Sequence, residues 1–372
     1  MISDMMMLTA FNKLLTGQSS DTIVWTADMT YWMSGQYCNG TADPAWNTEE
    51  GYLAFHHKMG VMPYYYYQKF WTGAAEYSFD INIQTTKIDR ETRTKIITPH
   101  GEIEEVSVYL PESCSDGIVK HFVENKKDLD IMRYIIGNRK LKPIHLDDHN
   151  ERRKLWEQYD GYPCLGLPRS PLASFFYEWA GLENGIYLLA DYEDEMQEIF
   201  TMMEEQEKHV IDAICNLCPP LVHFPDNLSS ENITGLYDKW MMPTHQRRLE
   251  RLHNAGIVAA VHLDGTIRGL LPKLSAAGFD AIEALTPMPV GDVSVEDMRI
   301  IAGSEDVILW GGIPGAMFAP PFTWKDMEKH IEQLLSAWQG TRFIIGVADQ
   351  VPPDGDITFC KKIADMLFNR PA

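Results

Sequence analysis

Cations are scarce in this sequence: 32 lysines and arginines face 53 aspartates and glutamates, a formal net charge of −21. A surface this negative repels phosphate, so nucleic acid is not an expected partner. Cysteine is also scarce. Cys38, Cys114, Cys164, Cys215, Cys218 and Cys360 are too few in 372 residues for a disulfide framework, and free thiols in a reducing, cytoplasmic setting are expected. The lone C-x-x-C pair at Cys215 and Cys218 has no second pair to complete a zinc site and is read as inert. No apolar run reaches the roughly 18 residues of a spanning helix, and the opening MISDMMMLTAFNKLLTG has no basic n-region or small-residue cleavage site. Membrane attachment is therefore not expected. No G-x-G-x-x-G follows any strand candidate, which removes the phosphate loop of a dinucleotide fold. Gly/Ser linkers, low-complexity tracts and short repeats are missing too, favouring one elaborated domain over residues 1–372.

What is present is a 45% hydrophobic chain in which short apolar runs alternate with segments of helical period from about residue 160 onward. That alternation marks βαβ units and a parallel sheet. The strand candidates are Tyr162–Leu167, Leu221–Phe224, Ile257–Leu263, Ala281–Leu285, Val307–Gly311 and Phe343–Val347, with Thr22–Thr26 near the N-terminus and Val61–Tyr66 as an eighth. Stretches such as Tyr192–Leu217 and Trp324–Trp338 read as the helices between them. Eight candidates suit a closed (β/α)8 TIM barrel. From about 70 to 110 the pattern has period 2 around a Thr98-Pro99-His100-Gly101 turn, which predicts an N-terminal antiparallel β-insertion acting as a lid.

The Thr-Pro-His-Gly turn before an extended run, KHFVENKKDLDIMRYII, FPDNLSSENITGLYDKWMMPTHQRRLERLH and AAVHLDGTIRGLLPKLSAAGFDAIEALTP together resemble the uroporphyrinogen decarboxylase superfamily. The likeness runs in order over most of the chain from about residue 15. The superfamily holds porphyrin decarboxylases and zinc-dependent methyltransferases that exchange methyl groups with a corrinoid protein. Decarboxylases of the family carry an arginine-rich segment after the first strand, where guanidinium forks grip the substrate's carboxylates. Here WTADMTYWMSGQY stands in that place, with no lysine or arginine from Trp25 until Lys58. The resemblance therefore implies the methyltransferase branch.

That branch holds zinc with a His-x-Cys pair, a Glu on the next strand and a later Cys; the corresponding places read His262-Leu263-Asp264, Glu283 and Ala348-Asp349. Residues i and i+2 of a strand share a side, so His262 and Asp264 can converge, with Glu283 beside them. Each thiolate has become a carboxylate. The metal set the resemblance implies is thus His262, Asp264, Glu283 and Asp349, with zinc the first expectation and Fe(II), Mn(II) or no metal still open. The rival reading is a buried hydrogen-bonded cluster without a metal. His262, Glu283 and Asp349, with Asp226 after the strand LVHF, are the catalytic candidates; an Asx turn competes for Asp226 and a helix cap for Asp349. Asp28, Tyr31, Trp32, Tyr65 and Arg169 are the substrate-binding candidates. His223 reads as a satisfied core histidine, and His245 and His253, on an arginine-rich helix, as exposed.

The expected reaction passes a methyl group from a small methoxyl or methylamine donor to a corrinoid protein, and a homodimer would be in keeping with the superfamily. A noncatalytic barrel that binds a small molecule or corrinoid, and a decarboxylase of a non-porphyrin acid, are the alternatives.

Overall fold

The computed structural model describes residues 6–368. After strand β1 (Trp25–Thr26) come six antiparallel strands: β2 (Gly73–Tyr77), β3 (Asn82–Ile88), β4 (Glu91–Thr98), β5 (Gly101–Leu110), β6 (Ser115–Lys120) and β7 (Arg139–Pro143). The remaining strands are β8 (Leu165–Gly166), β9 (Leu221–Leu228), β10 (Val258–Leu263), β11 (Ala281–Leu285), β12 (Ile308–Pro314) and β13 (Phe343–Ala348). One parallel sheet runs in the order β1-β13-β12-β11-β10-β9-β8. Its strands β9 to β13 are buried almost end to end, as unbroken apolar runs require when helices cover a parallel sheet.

Val61–Tyr66, expected as a strand, forms no ladder. It makes a single parallel bridge, Thr26 to Met62, because Pro63 has no N–H to donate. Isolated hydrogen bonds still tie it to both edges of the sheet: Met62 N donates to Trp25 O, and Tyr162 N and Cys164 N donate to Pro63 O and Tyr64 O. Gly161 keeps this crossing tight, since a Cβ there would lie 2.5 Å from the Pro63 ring.

The antiparallel insertion is larger than the period-2 pattern predicts. β3-β4-β5-β6 make one sheet and β2-β7 another, so it reaches Pro143 rather than ending near 110. The pattern misses β6 and β7 because SDGIVK and RKLKP bury too little to alternate. The expected turn is present: β4 ends at Thr98, and β5 begins at Gly101, whose φ of 132° a side chain would resist. The tip of this sheet meets the helix after β1, where Tyr31 Oη donates to Ser113 O at 2.6 Å. No described helix is long and apolar enough to cross a membrane.

The helices follow their sequence signals. Glu193–Leu217 opens on Glu193, Asp194 and Glu195 against the helix dipole. Trp324–Trp338 opens on a capping box between Thr323 and Asp326.

Candidate functional site

Parallel register places the centre of the site. His262 on β10 stands directly beside Glu283 on β11, and Ala260 beside His223 on β9. Three strands therefore converge on one carboxylate. Glu283, 1% exposed, receives His262 Nδ1 at 2.7 Å and His223 Nε2 at 3.2 Å on Oε2. Tyr64 Oη donates to Oε1 at 2.8 Å, and Tyr65 Oη lies 3.2 Å from Oε2 and 2.6 Å from His223 Nε2. Burial alone would raise the Glu283 carboxyl; the charges and hydrogen bonds of His262 and His223 override it and hold the group below the usual carboxylate range.

With Nδ1 clamped, His262 Nε2 is buried and, among the described residues, has no hydrogen-bond partner. It points toward Asp349 Oδ1, 3.7 Å away at the end of β13. Asp264 shares this volume: one ligand atom each of His262, Asp264 and Asp349 lie within 4.8 Å of one another, as do those of His223, His262 and Glu283. Burial would depress the His262 imidazole, but Glu283, Asp349 and Asp264 push it up to about 10. Asp349 is raised to about 7 by its desolvation and by Asp28, Asp264 and Glu283, against the pull of His262. A single imidazole faced by three carboxylates calls for positive charge, which a proton or a cation can supply.

The donor set fits a divalent metal. An orphaned imidazole nitrogen beside two carboxylates is an open nitrogen–oxygen site, and a carboxylate on the other ring nitrogen is the usual support of a metal-bound histidine. The four residues expected to ligate do not form one shell, however. Two triads share His262, and Glu283 is already surrounded by four polar hydrogens' worth of partners.

The other candidates fall elsewhere. Asp226 is fully buried, accepting Ser170 N at 2.7 Å and paired with His245 Nε2 at 2.7 Å; despite its burial, His245, Arg248 and Ser170 hold its carboxyl at about 2. His245 is thus a core residue, a correction to its expected exposure, because it lies on the buried stripe of its helix with Thr244, Arg248 and Leu252. His253 is exposed as expected, against Asp280. Asp28 accepts Tyr67 Oη at 2.7 Å, Gln350 Nε2 at 3.1 Å and Thr30 N at 2.8 Å. Trp32 donates to Gly355 O and stacks on Phe55. Arg169 lies over the Trp71 ring and pairs with Glu178. Asp356 takes the helix cap at Thr358, leaving Asp349 free of that task. The Cys215 and Cys218 thiols donate to backbone carbonyls.

The sequence gives His223 only a core role and Tyr64 only a place in the strand candidate Val61–Tyr66. The signal for His223 was its place in LVHF, one strand before His262, but only the β9–β10 register turns it toward Glu283.

No family model and no curated protein matches this chain. Among solved structures it is similar to a methyltransferase from Methanosarcina mazei, at 11% identity and a TM-score of 0.60, over 98% of this chain and 99% of that one. It is also similar to a B12-independent methionine synthase from a Shewanella species, at 10% identity and a TM-score of 0.43, over 79% and 76%. At these identities the first likeness is one of fold, spanning both chains almost end to end, and the second carries no argument.

Proposed function

We propose that this chain is a methyltransferase of the uroporphyrinogen decarboxylase superfamily, a (β/α)8 barrel in which residues 61–66 take the eighth wall position and the antiparallel insertion serves as a lid. It would move a methyl group from a small methoxyl or methylamine donor to a corrinoid held by a separate protein. The observation that carries the reading is His262: a buried imidazole with one nitrogen clamped by Glu283 and the other unpartnered, facing Asp349. The full-length fold likeness to a methyltransferase adds support.

His262 Nε2, Asp264 and Asp349 would hold a divalent ion, zinc first, near the carboxyl ends of β10 and β13, the end of a barrel where chemistry is done. When bound, that ion supplies Lewis acidity for the departing heteroatom, which leaves with the bonding electron pair. Glu283 sets the ring: by accepting from Nδ1–H it leaves the Nε2 lone pair free for a ligand. Tyr64 holds the other carboxylate oxygen, Oε1, and Tyr65 adds a third contact to Oε2.

The test is elemental analysis of protein purified without added metal, followed by incubation with Co(I) cobalamin and a panel of methoxylated aromatics and methylamines. We expect about one metal per chain, lost in His262→Ala and kept in His253→Ala, and methyl-cobalt absorbance with at least one donor. Metal retained in His262→Ala would overturn the site. A metal-loaded protein that methylates cobalt with none of the donors would overturn the reaction.

A further inference from the structure

A cavity of about 560 Å³ lies between the antiparallel insertion and the helices that follow β8. Trp71, Tyr77, Phe122 and Trp179 supply aromatic wall, and Arg139 and Arg169 supply charge. His262, Asp264, Glu283 and Asp349 do not line it. The volume is that of a pocket for a small organic molecule rather than for an ion alone.

Three polar groups in this wall have unmet capacity. Trp179 is 4% exposed, yet its indole Nε1 has no hydrogen-bond partner. That N–H is closed off by burial, so Trp179 offers the cavity its ring. Arg169 Nε is likewise buried and unpartnered. Arg139 extends over the Trp179 ring, 5.8 Å from its centroid, and donates from Nε to the neutral Gln206 Oε1 at 3.1 Å. Among the described residues it makes no ion pair with a carboxylate, and burial works against its charge.

The two carboxylates of the wall are already engaged. Glu178 accepts from Arg169 at 3.2 Å and from Ser174 Oγ, and Glu207 accepts from Arg248 Nε at 2.8 Å. Arg139 feels Glu178 only at longer range, and among the described residues it is the wall's cation with no carboxylate in ion-pair contact. Half-buried cations without a counter-charge are costly, and a bound anion removes that cost.

We propose that this cavity is a binding site for a small aromatic carboxylate, with its anionic end at Arg139 and its ring against the aromatic wall. The aromatic faces select against inorganic anions, which gain nothing from apolar contact, and the arginine selects against neutral rings. The site is separate from the histidine cluster and does not depend on the methyl-transfer reading.

Titration calorimetry on the intact protein tests it, with benzoate as the probe and benzamide and inorganic phosphate as comparisons. Benzoate should bind at least about tenfold more tightly than benzamide, the ratio expected for one charge-assisted hydrogen bond, and phosphate should not compete with it. Arg139→Gln should weaken benzoate by about tenfold. His262→Ala should leave benzoate binding unchanged. Equal binding of benzoate and benzamide, competition by phosphate, no benzoate binding at millimolar concentration, or loss of binding in His262→Ala would each overturn the proposal; the comparison of ligands on the unmodified protein holds even where Arg139→Gln fails to fold.

Discussion

Two imidazoles in the core of this protein are gripped by carboxylates at the same 2.7 Å, and they differ in what the second nitrogen does. His245 gives Nε2 to Asp226 and sets Nδ1 3.3 Å from Tyr237 Oη, so both nitrogens are used. His262 gives Nδ1 to Glu283 and leaves Nε2 buried and unpartnered. Their surroundings follow suit. Asp226 also takes Ser170 N, and Arg248 beside it donates to Pro168 O and Arg169 O, so the first pair fastens the loop after β8 to a helix. The second pair fastens nothing on its free side and faces two further carboxylates. His245 is thus a strut, whereas His262 combines an unpartnered nitrogen with two facing carboxylates, the arrangement of a ligand or proton site.

Removing each ring should separate these roles most sharply. His245→Ala leaves Asp226 charged and buried, so it should cost about 3–5 kcal/mol in the free energy of urea unfolding. His262→Asn, measured with chelator above about pH 10 where the charge of the ring no longer contributes, keeps a donor for Glu283, which retains Tyr64, Tyr65 and His223, and should cost about 1 kcal/mol. Equal losses would erase the distinction.

The pH dependence should split in opposite directions. Asp226 is held at about 2, below its unfolded value, so its contribution is complete above roughly pH 4 and disappears as pH falls toward 2. His245 is also depressed by burial and adds to the acid-side loss. His262 is raised to about 10, so in chelator-treated protein its contribution is complete below its unfolded value and disappears as pH rises through 10. Melting curves across pH should therefore lose an acid limb worth about 2 kcal/mol in Asp226→Asn, and an alkaline limb in His262→Asn. An unchanged acid limb in Asp226→Asn would remove that pair from the account.

The mildest test concerns the clamp. If Glu283 orients His262 rather than ligating, Glu283→Gln should weaken metal binding by about tenfold in a chelator competition, as loss of a supporting carboxylate does. Complete loss of metal would instead make Glu283 a direct ligand.

Much of this arrangement is legible along the chain, and the exceptions have physical causes. The strand runs from β9 to β13 are short, apolar and bounded by turns, so sequence places them within a few residues. His262 and Asp264 share a side by strand alternation, and Glu283 follows from adjacent strands in register. Val61–Tyr66 misleads because β-branched and aromatic content outweighs the one proline that prevents a ladder. His245 misleads because arginines on its helix suggest a wet face, while Arg248 is itself buried against Glu207. The partners of Glu283 are the least legible of all: Tyr64 lies 219 residues away, and no local periodicity reports which carboxylate a tyrosine will meet.

The sequence by itself determines the alternating α/β order, the period-2 insertion after residue 70 and the residue types that can bind charge near the strand ends, because these depend on spacing and side-chain chemistry. Only the tertiary structure decides that Glu283 is the shared acceptor, that His223 belongs with it, and that His262 rather than His245 keeps a nitrogen unspent. Those outcomes depend on register and on contacts between distant segments, where a shift of one residue along a strand would turn each side chain to the opposite face.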